Sequence, residues 1–407
     1  MSVMNLRRYI FLFFLSAVSI ALVGQNSTAS PYSRFGYGEL NDNVPVQYRS
    51  MGGVGAGMRS RQVINPSQPA SYSAVDTTSF MMDIGASFTW SNYRDYSGSK
   101  NKINGNLEYL TMQFPIWKYI GMSIGVMPYT SVGYDLKDSI SDVPHPYITD
   151  FSGKGGFSQV YGGLSFNILN WVAVGANVYY MFGKIENLRD LSFVESGFTS
   201  VSQDATMKIS DVRFRYGLQF FHTFKDKHYL VLGGTFENKS KLNGKYTQIE
   251  TVSADTVVPN LSEGYELPMF VSAGASYCFD NRLTIALDYQ LTDWKNAKYE
   301  GETGYFRSRN RYALGIEYRH NPMSKKYAEL MPFRVGVCMS DSYIKSMPTK
   351  DWTVSIGFGF PLRNVSTVIN TTVEYIHRGN KNTLEENALK LTISAGINEY
   401  WFFKRKL

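Results

Sequence analysis

A 407-residue chain with 41 Lys and Arg against 34 Asp and Glu, formally +7, is mildly basic. Its cations are scattered with no basic stripe, which excludes a nucleic-acid partner. Two cysteines, with no CxxC pair and no His/Cys cluster at metal spacing, exclude a disulfide framework, and no metal or cofactor is expected.

Residues 1–24 read as an export signal. Arg7 and Arg8 give a positive start, Tyr9 to Val23 are mostly apolar, and small residues lead to a cut near Gly24-Gln25. An uncleaved anchor helix is the alternative, but the run is short for a membrane span. Without Arg7 and Arg8 the balance is 39 basic to 34 acidic residues, or +5.

Residues 25–79 show no alternation and are rich in Gly, Pro, Ser and Asn. From Phe80 onward one device repeats. Segments of about ten residues alternate apolar with polar, the period of a strand between two unlike surroundings. The first runs from Phe80 to Trp90, followed by a polar break, Ser91 to Gly105. Asn106–Phe114 returns to a tight turn at Pro115–Tyr119, and Ile120–Tyr129 leads to a long loop, Thr130–Gly156. Phe157–Phe166 and Trp171–Phe182 are joined by a short turn. After a loop to about Thr206, Met207–Phe221 and Tyr229–Glu237 flank Lys225-Asp226-Lys227. The longest break is Asn238–Gly264.

Leu267–Phe279 and Leu283–Thr292 flank Asp280-Asn281. The second shows the device most cleanly: Leu283, Ile285, Leu287, Tyr289 and Leu291 share one face. Tyr312–Arg319, Phe333–Met339, Trp352–Phe360, Thr367–Tyr375 and Leu389–Ile397 complete about fourteen strands, and aromatics, Trp401-Phe402-Phe403, end the chain. Connections alternate long and short, so the long loops emerge on one side. These features predict an all-β fold: an antiparallel transmembrane β-barrel spanning residues 80–407 in a bacterial outer membrane. A secreted sandwich would bury its apolar face against a second layer and would tolerate loops of random length on both sides.

By parity the inner face carries Asp83, Arg213, Arg215, Glu237, Asp288, Glu317, Arg319, Arg334, Glu374 and Lys390. It also carries Cys278 and Cys338, too far apart to bridge. Lys100, Lys102, Lys295, Lys298, Arg307 and Arg309 fall in outer loops, solvated or beside outer-membrane lipid and lipopolysaccharide. About fourteen strands leave a lumen wider than side chains alone can fill. Residues 25–79 supply enough chain to plug it as a hatch. Within them Gly52 to Gly57 lack the flanking strand and helix of a dinucleotide-binding turn, so close backbone packing explains them better.

Arg49-Ser50-Met51-Gly52-Gly53-Val54-Gly55, then Asn65-Pro66-Ser67, then the first strand, resembles the FadL-type outer-membrane transporters of long-chain fatty acids and other hydrophobic compounds. The opening Ser30-Pro31-Tyr32-Ser33-Arg34-Phe35-Gly36 is similar to a Bacteroidota-like branch. The resemblance implies a fourteen-stranded barrel, an N-terminal hatch, and a lateral opening at a kink in the third strand. It departs at Ser67, where the family usually has Ala. A substrate path along the hatch is expected at Arg59, Arg61, Asn65, Pro66 and Ser67; Arg59 and Arg61 are placed there to attract a carboxylate or, the safer reading, to pair with lumenal acids. Gly125 and Pro128 are candidates for the strand-3 gate, although ending a strand is the ordinary role of such residues.

Three functions remain in view. Passive uptake of a hydrophobic small molecule is the leading one. A docking or shuttle role in protein secretion, with a protein partner bound through the outer loops, is its rival. A lipid-modifying enzyme is not expected, because His145, His222, His228, His320 and His377 are scattered and lack a nucleophile arranged beside them.

Overall fold

The computed structural model describes residues 30–400 apart from 97, 196, 251–255, 259–263, 322–323, 325, 363–366 and 380–383. The expected export signal and the terminal Trp401-Phe402-Phe403 lie outside the described residues.

In chain order the strands are β1 (Glu39–Leu40), β2 (Ser79–Arg94), β3 (Ser99–Trp117), β4 (Ile120–Pro128), β5 (Thr130–Ile140), β6 (Tyr147–Leu169) and β7 (Val172–Phe193). They continue with β8 (Val201–Phe224), β9 (His228–Glu237), β10 (Ser240–Lys241), β11 (Gly244–Glu250), β12 (Thr256–Val258), β13 (Glu266–Leu267) and β14 (Phe270–Phe279). The last six are β15 (Leu283–Thr292), β16 (Arg309–Arg319), β17 (Pro332–Asp341), β18 (Lys350–Pro361), β19 (Val368–Gly379) and β20 (Glu385–Tyr400).

Each wall strand pairs antiparallel with its sequence neighbour, and β2 pairs with β20 from Ser79↔Tyr400 to Arg94↔Glu385, closing the sheet. With β4 and β5 counted as one interrupted strand, the barrel has fourteen wall strands among the described residues. Closure is what lipid demands, since an open edge would leave backbone groups without partners.

Parity sorts the side chains as alternation predicts. Phe88, Leu287, Tyr312, Ile356 and Ile393 are exposed on the outside, where hydrocarbon covers them, whereas Asp83, Arg213, Glu237, Asp288 and Arg334 are buried within. Aromatic pairs mark both rims of the apolar belt: Tyr289–Tyr312 (5.1 Å between ring centroids) and Trp352–Tyr375 (5.3 Å) at one, Trp171–Phe220 (6.1 Å) and Phe333–Phe358 (5.3 Å) at the other. The molecule is an outer-membrane barrel.

Strand lengths correct the sequence reading. The breaks Ser91–Gly105, Thr130–Gly156 and 183–206 are mostly strand, as β2–β3, β5–β6 and β7–β8 pair well beyond the apolar belt. Above the lipid the outer face meets water, so the outward apolar residues disappear while the hydrogen-bond ladder continues and inward Val132, Ile185 and Met207 stay buried. The break Asn238–Gly264 likewise contains β11, which pairs with β8 from Gly244↔Ile209 to Glu250↔Gln203.

Residues 30–78 pack against inward-facing positions around the wall. A single helical turn, Val46–Arg49, lies near β18, β19 and β20. The 3-10 turns Pro69–Ala74 lie near β4, β6, β7 and β8. Contact is backbone to backbone at several strand glycines: a Cβ on Gly336 would collide with Met51 and Gly52, one on Gly233 with Ala56, and one on Gly121 with Tyr72. Gly52 and Gly53 themselves adopt φ of 73° and 77°, a region that side chains disfavour.

Gly336→Val should therefore unseat residues 51–52 and leave the barrel standing. We expect new trypsin cleavage within residues 30–78 while the heat-modifiable gel shift of the barrel persists; unchanged protease resistance would count against this packing.

Candidate functional site: a parted wall and the segment that fills it

The wall is interrupted in its outer half between the second and third of its strands. β3 and β4 pair from Trp117↔Ile120 only as far as Leu110↔Val126. Beyond that point β3 continues with β2 to Ser99↔Arg94, while β5 goes on with β6 to Ile140↔Tyr147. The third strand bends away at Pro128, which lacks an N–H to extend the ladder. Tyr129 then donates its N–H to Phe157 O (2.7 Å). β3 carries a bulge at the same level: its register with β2 shifts between Gly85 and Ala86, so Glu108 and Tyr109 are both buried inward.

The edge that β5 loses to β3 is taken by the N-terminal segment. Glu39 and Leu40 pair with Ser131 and Thr130, and Asn41 donates its N–H to Tyr129 O (3.0 Å). Gly133 N–H donates to Ser33 Oγ (3.0 Å), whose hydroxyl lies 3.1 Å from Gly133 O. Behind this edge lies a crevice lined by Asp42, Pro45, Ile64, Glu108, Tyr109 and Met127.

Buried ions hold the segment in depth. Arg49 pairs with Glu108 (2.8 Å) and Glu374 (3.7 Å), and Lys390 also reaches Glu108 (2.7 Å). Asp42 faces Arg311 (3.5 Å) and Arg309 (3.6 Å). Burial alone would raise its carboxyl, but the guanidinium groups of Arg311, Arg309 and Arg49 more than offset this and hold it low. Arg311 further donates to Gly53 O (3.1 Å) and Gly52 O (2.8 Å). Asp288 accepts from the N–H groups of Gly55 (2.6 Å), Ala56 (2.7 Å) and Gly57 (3.5 Å), a backbone nest closed on one carboxylate.

The residues singled out in the sequence divide. Asn65 Nδ2 donates to Gly55 O (2.9 Å), and Ser67 Oγ donates to Asn65 Oδ1 (2.5 Å). Pro66 O accepts from Asn177 Nδ2 (2.9 Å) and Tyr179 OH (3.2 Å) on β7. These three fasten the segment to itself and to the wall. Arg59 donates to Ala70 O (2.8 Å) and Asn167 Oδ1 (2.8 Å) and stacks over Phe221 at 4.1 Å, held by neutral acceptors. Burial draws its guanidinium down to about 10. Arg61 is exposed and pairs with Asp76 at 3.5 Å. Gly125 is packed under Leu110 O and Tyr161, and Pro128 stands at the break itself. Sequence reading missed Arg311, β1 and the Glu108 bulge. Parity from Tyr312 could have found Arg311; a two-residue strand and a bulge leave no periodic trace.

The outer mouth is closed by aromatics. Tyr37 stands against Tyr299 (5.3 Å between centroids), Trp294 (5.7 Å), Phe306 (5.9 Å) and Phe157 (6.2 Å). A separate groove of about 830 Å³ crosses the lipid-facing wall from Phe220 to Met339, floored by Gly234, Ala273 and Ala275.

The family model described as BamG matches residues 6–407. The chain belongs to the BamG family. No curated protein matches it. Among solved structures, the Ralstonia pickettii toluene transporter TbuX is 14% identical, with 88% of this chain and 98% of that chain covered at a TM-score of 0.59. The Pseudomonas putida toluene transporter TodX is 14% identical, over 90% and 100%, at 0.59. A Pseudomonas aeruginosa FadL homologue is 12% identical, over 88% and 98%, at 0.57. At such identities the likeness establishes the FadL-type barrel fold. This BamG-family chain thus has that barrel with an interrupted third strand.

Asp288→Ala should release three backbone donors. Hydrogen bonds to a charged group contribute about 1.5–3 kcal/mol each. Amide exchange at Gly55–Gly57 should therefore quicken by one to two orders of magnitude or more, read by hydrogen-exchange mass spectrometry, with β15 itself protected as before.

Proposed function

We propose that this barrel takes up hydrophobic small molecules across the outer membrane, long-chain fatty acids or monoaromatic hydrocarbons among them, with residues 25–79 as its hatch. The observation that carries this reading is the parted wall between β3 and β5, whose β5 edge is covered by residues 33–41. A molecule entering among the aromatics around Tyr37 would leave sideways through that parting, without crossing the polar interior. The apolar belt supplies its destination, because transfer of apolar surface from water is favourable by roughly 25 cal/mol per Å². Arg59, Arg61, Asn65, Pro66 and Ser67 belong to the hatch in this scheme, and Gly125 and Pro128 shape the lateral opening. The names of TbuX and TodX as toluene transporters support the substrate class.

A second reading is a docking component of protein secretion with no enzymatic activity of its own. It is favoured by the tall outer sheet, in which β5, β6, β7, β8 and β11 stand well above the belt. Gentle-detergent purification separates the two: a co-purified hydrophobic compound favours transport, a stoichiometric protein favours docking.

Glu39 and Ser131 are cross-strand partners, the arrangement in which a disulfide fits. Oxidised Glu39→Cys/Ser131→Cys protein should lose most of its uptake of labelled toluene or fatty acid and regain it with reductant. Uptake that proceeds unchanged with the bridge formed would rule out the lateral route.

A further inference from the structure

Beyond the wall opening, one charged row on the outer surface is only partly matched by acids among the described residues. On the lipid-facing side of β7 the outward residues are Val178, Tyr180, Phe182 and then Lys184. On β8 they are Phe214, Val212, Ser210 and then Lys208. Lys184 is directly opposite Lys208, and Lys208 is directly opposite Lys245 on β11. Three lysines thus lie side by side across three adjacent strands, all exposed, at the level where the apolar belt ends. Strand spacing sets neighbours roughly 5 Å apart, so the row spans about 10 Å.

Like charges placed directly opposite on a sheet repel and destabilise the pairing. The local relief is small. Glu186 serves Lys184 (2.5 Å) and Lys154 on β6 (3.2 Å). Four lysines against one glutamate leave three positive charges. Among the described residues, Lys208 and Lys245 make no ion pair, and Asp204, the next acid on that face of β8, is two outward positions further from the membrane. Among the described residues the chain leaves this row with excess positive charge, which an anion from outside the chain would offset. Directly below lies an apolar surface of Tyr180, Phe182, Val212 and Phe214, so the matching ligand is amphiphilic.

We propose that Lys184, Lys208 and Lys245, with Lys154 beside them, bind the phosphate groups of an outer-leaflet glycolipid whose acyl chains lie along β7 and β8. The site is distinct from the opening between β3 and β5 and holds whether or not that opening conducts. It fixes the depth of the barrel in the membrane on this flank and supplies the counter-charge that lets the tall outer sheet pair here.

The test uses full-length protein in nanodiscs. Its probes are a synthetic bis-phosphorylated acylated disaccharide lipid, the same lipid without phosphates, and inorganic phosphate, with binding read by native mass spectrometry and by competition. A lysine near an anionic surface contributes about fivefold in affinity. Lys184→Gln/Lys208→Gln/Lys245→Gln should therefore weaken binding of the phosphorylated lipid by at least about tenfold. The dephosphorylated lipid should bind wild type as weakly as the variant binds the phosphorylated one, and millimolar inorganic phosphate should not displace the lipid. Lys100→Gln/Lys102→Gln/Lys350→Gln, which removes equal charge elsewhere, should leave binding unchanged. If the triple variant does not assemble, Lys208→Gln alone should weaken binding about fivefold. Undiminished binding by the row variants, an equal loss in the control variant, equal binding of the dephosphorylated lipid, or full displacement by phosphate overturns the proposal.

Discussion

Hydrocarbon supplies no hydrogen-bond partner, so each backbone N–H and C=O at membrane depth must find one within the protein. That constraint closes β2 onto β20 and turns fourteen marginal strands into one continuous ladder. It also gives the interruption at Pro128 its meaning. Where β5 leaves β3, the start of its edge loses its partner, and residues 33–41 supply one from Tyr129 to Gly133. The N-terminal segment is therefore part of the wall at one place as well as part of the interior everywhere else.

A second consequence concerns charge. The inner face carries ions in a region shielded from bulk water, where an uncompensated charge costs several kcal/mol. Arg213 and Arg215 share Glu237, Arg334 meets Glu317 at 2.6 Å, and Arg49 and Asp42 bring charges of the segment to wall partners. Several of these charges are shared, Glu237 between two arginines and Glu108 between Arg49 and Lys390, so the network holds as a unit. Residues 42–58 are thereby fixed by electrostatics and by the glycines that admit their backbone, whereas residues 33–41 are held at the rim by a short ladder, by Tyr37 among its aromatic neighbours and by the Glu39–Arg378 ion pair. The proposed route opens the lateral parting alone, which disturbs fewer buried charges than withdrawing the whole segment would.

Much of this fold is legible in the sequence because lipid and lumen impose period two on each spanning segment: Leu283 to Thr292 and Tyr312 to Arg319 sort correctly by parity alone. Legibility ends where the surroundings become alike. Leu188 to Leu191 and Val201 to Asp204 pair as regular strands, yet without lipid on the outer face nothing in their order announces it. The site is read less completely. Pro128 signals the break, since proline removes a donor wherever it sits. The partner that repairs the break, Glu39-Leu40, is a two-residue strand defined by tertiary contact alone. Arg59 shows the opposite limit, because residue type suggested an acid and the fold provides Ala70 O, Gln219 and Asn167.

The central claim is that residues 30–78 occupy the lumen and are held there by the wall. Conductance in planar bilayers tests it most directly. The intact protein should show no steady ion current, and a variant lacking residues 30–75 should open a stable aqueous pore. A persistent open-pore current from the intact protein, of the size seen after deletion, would contradict the account.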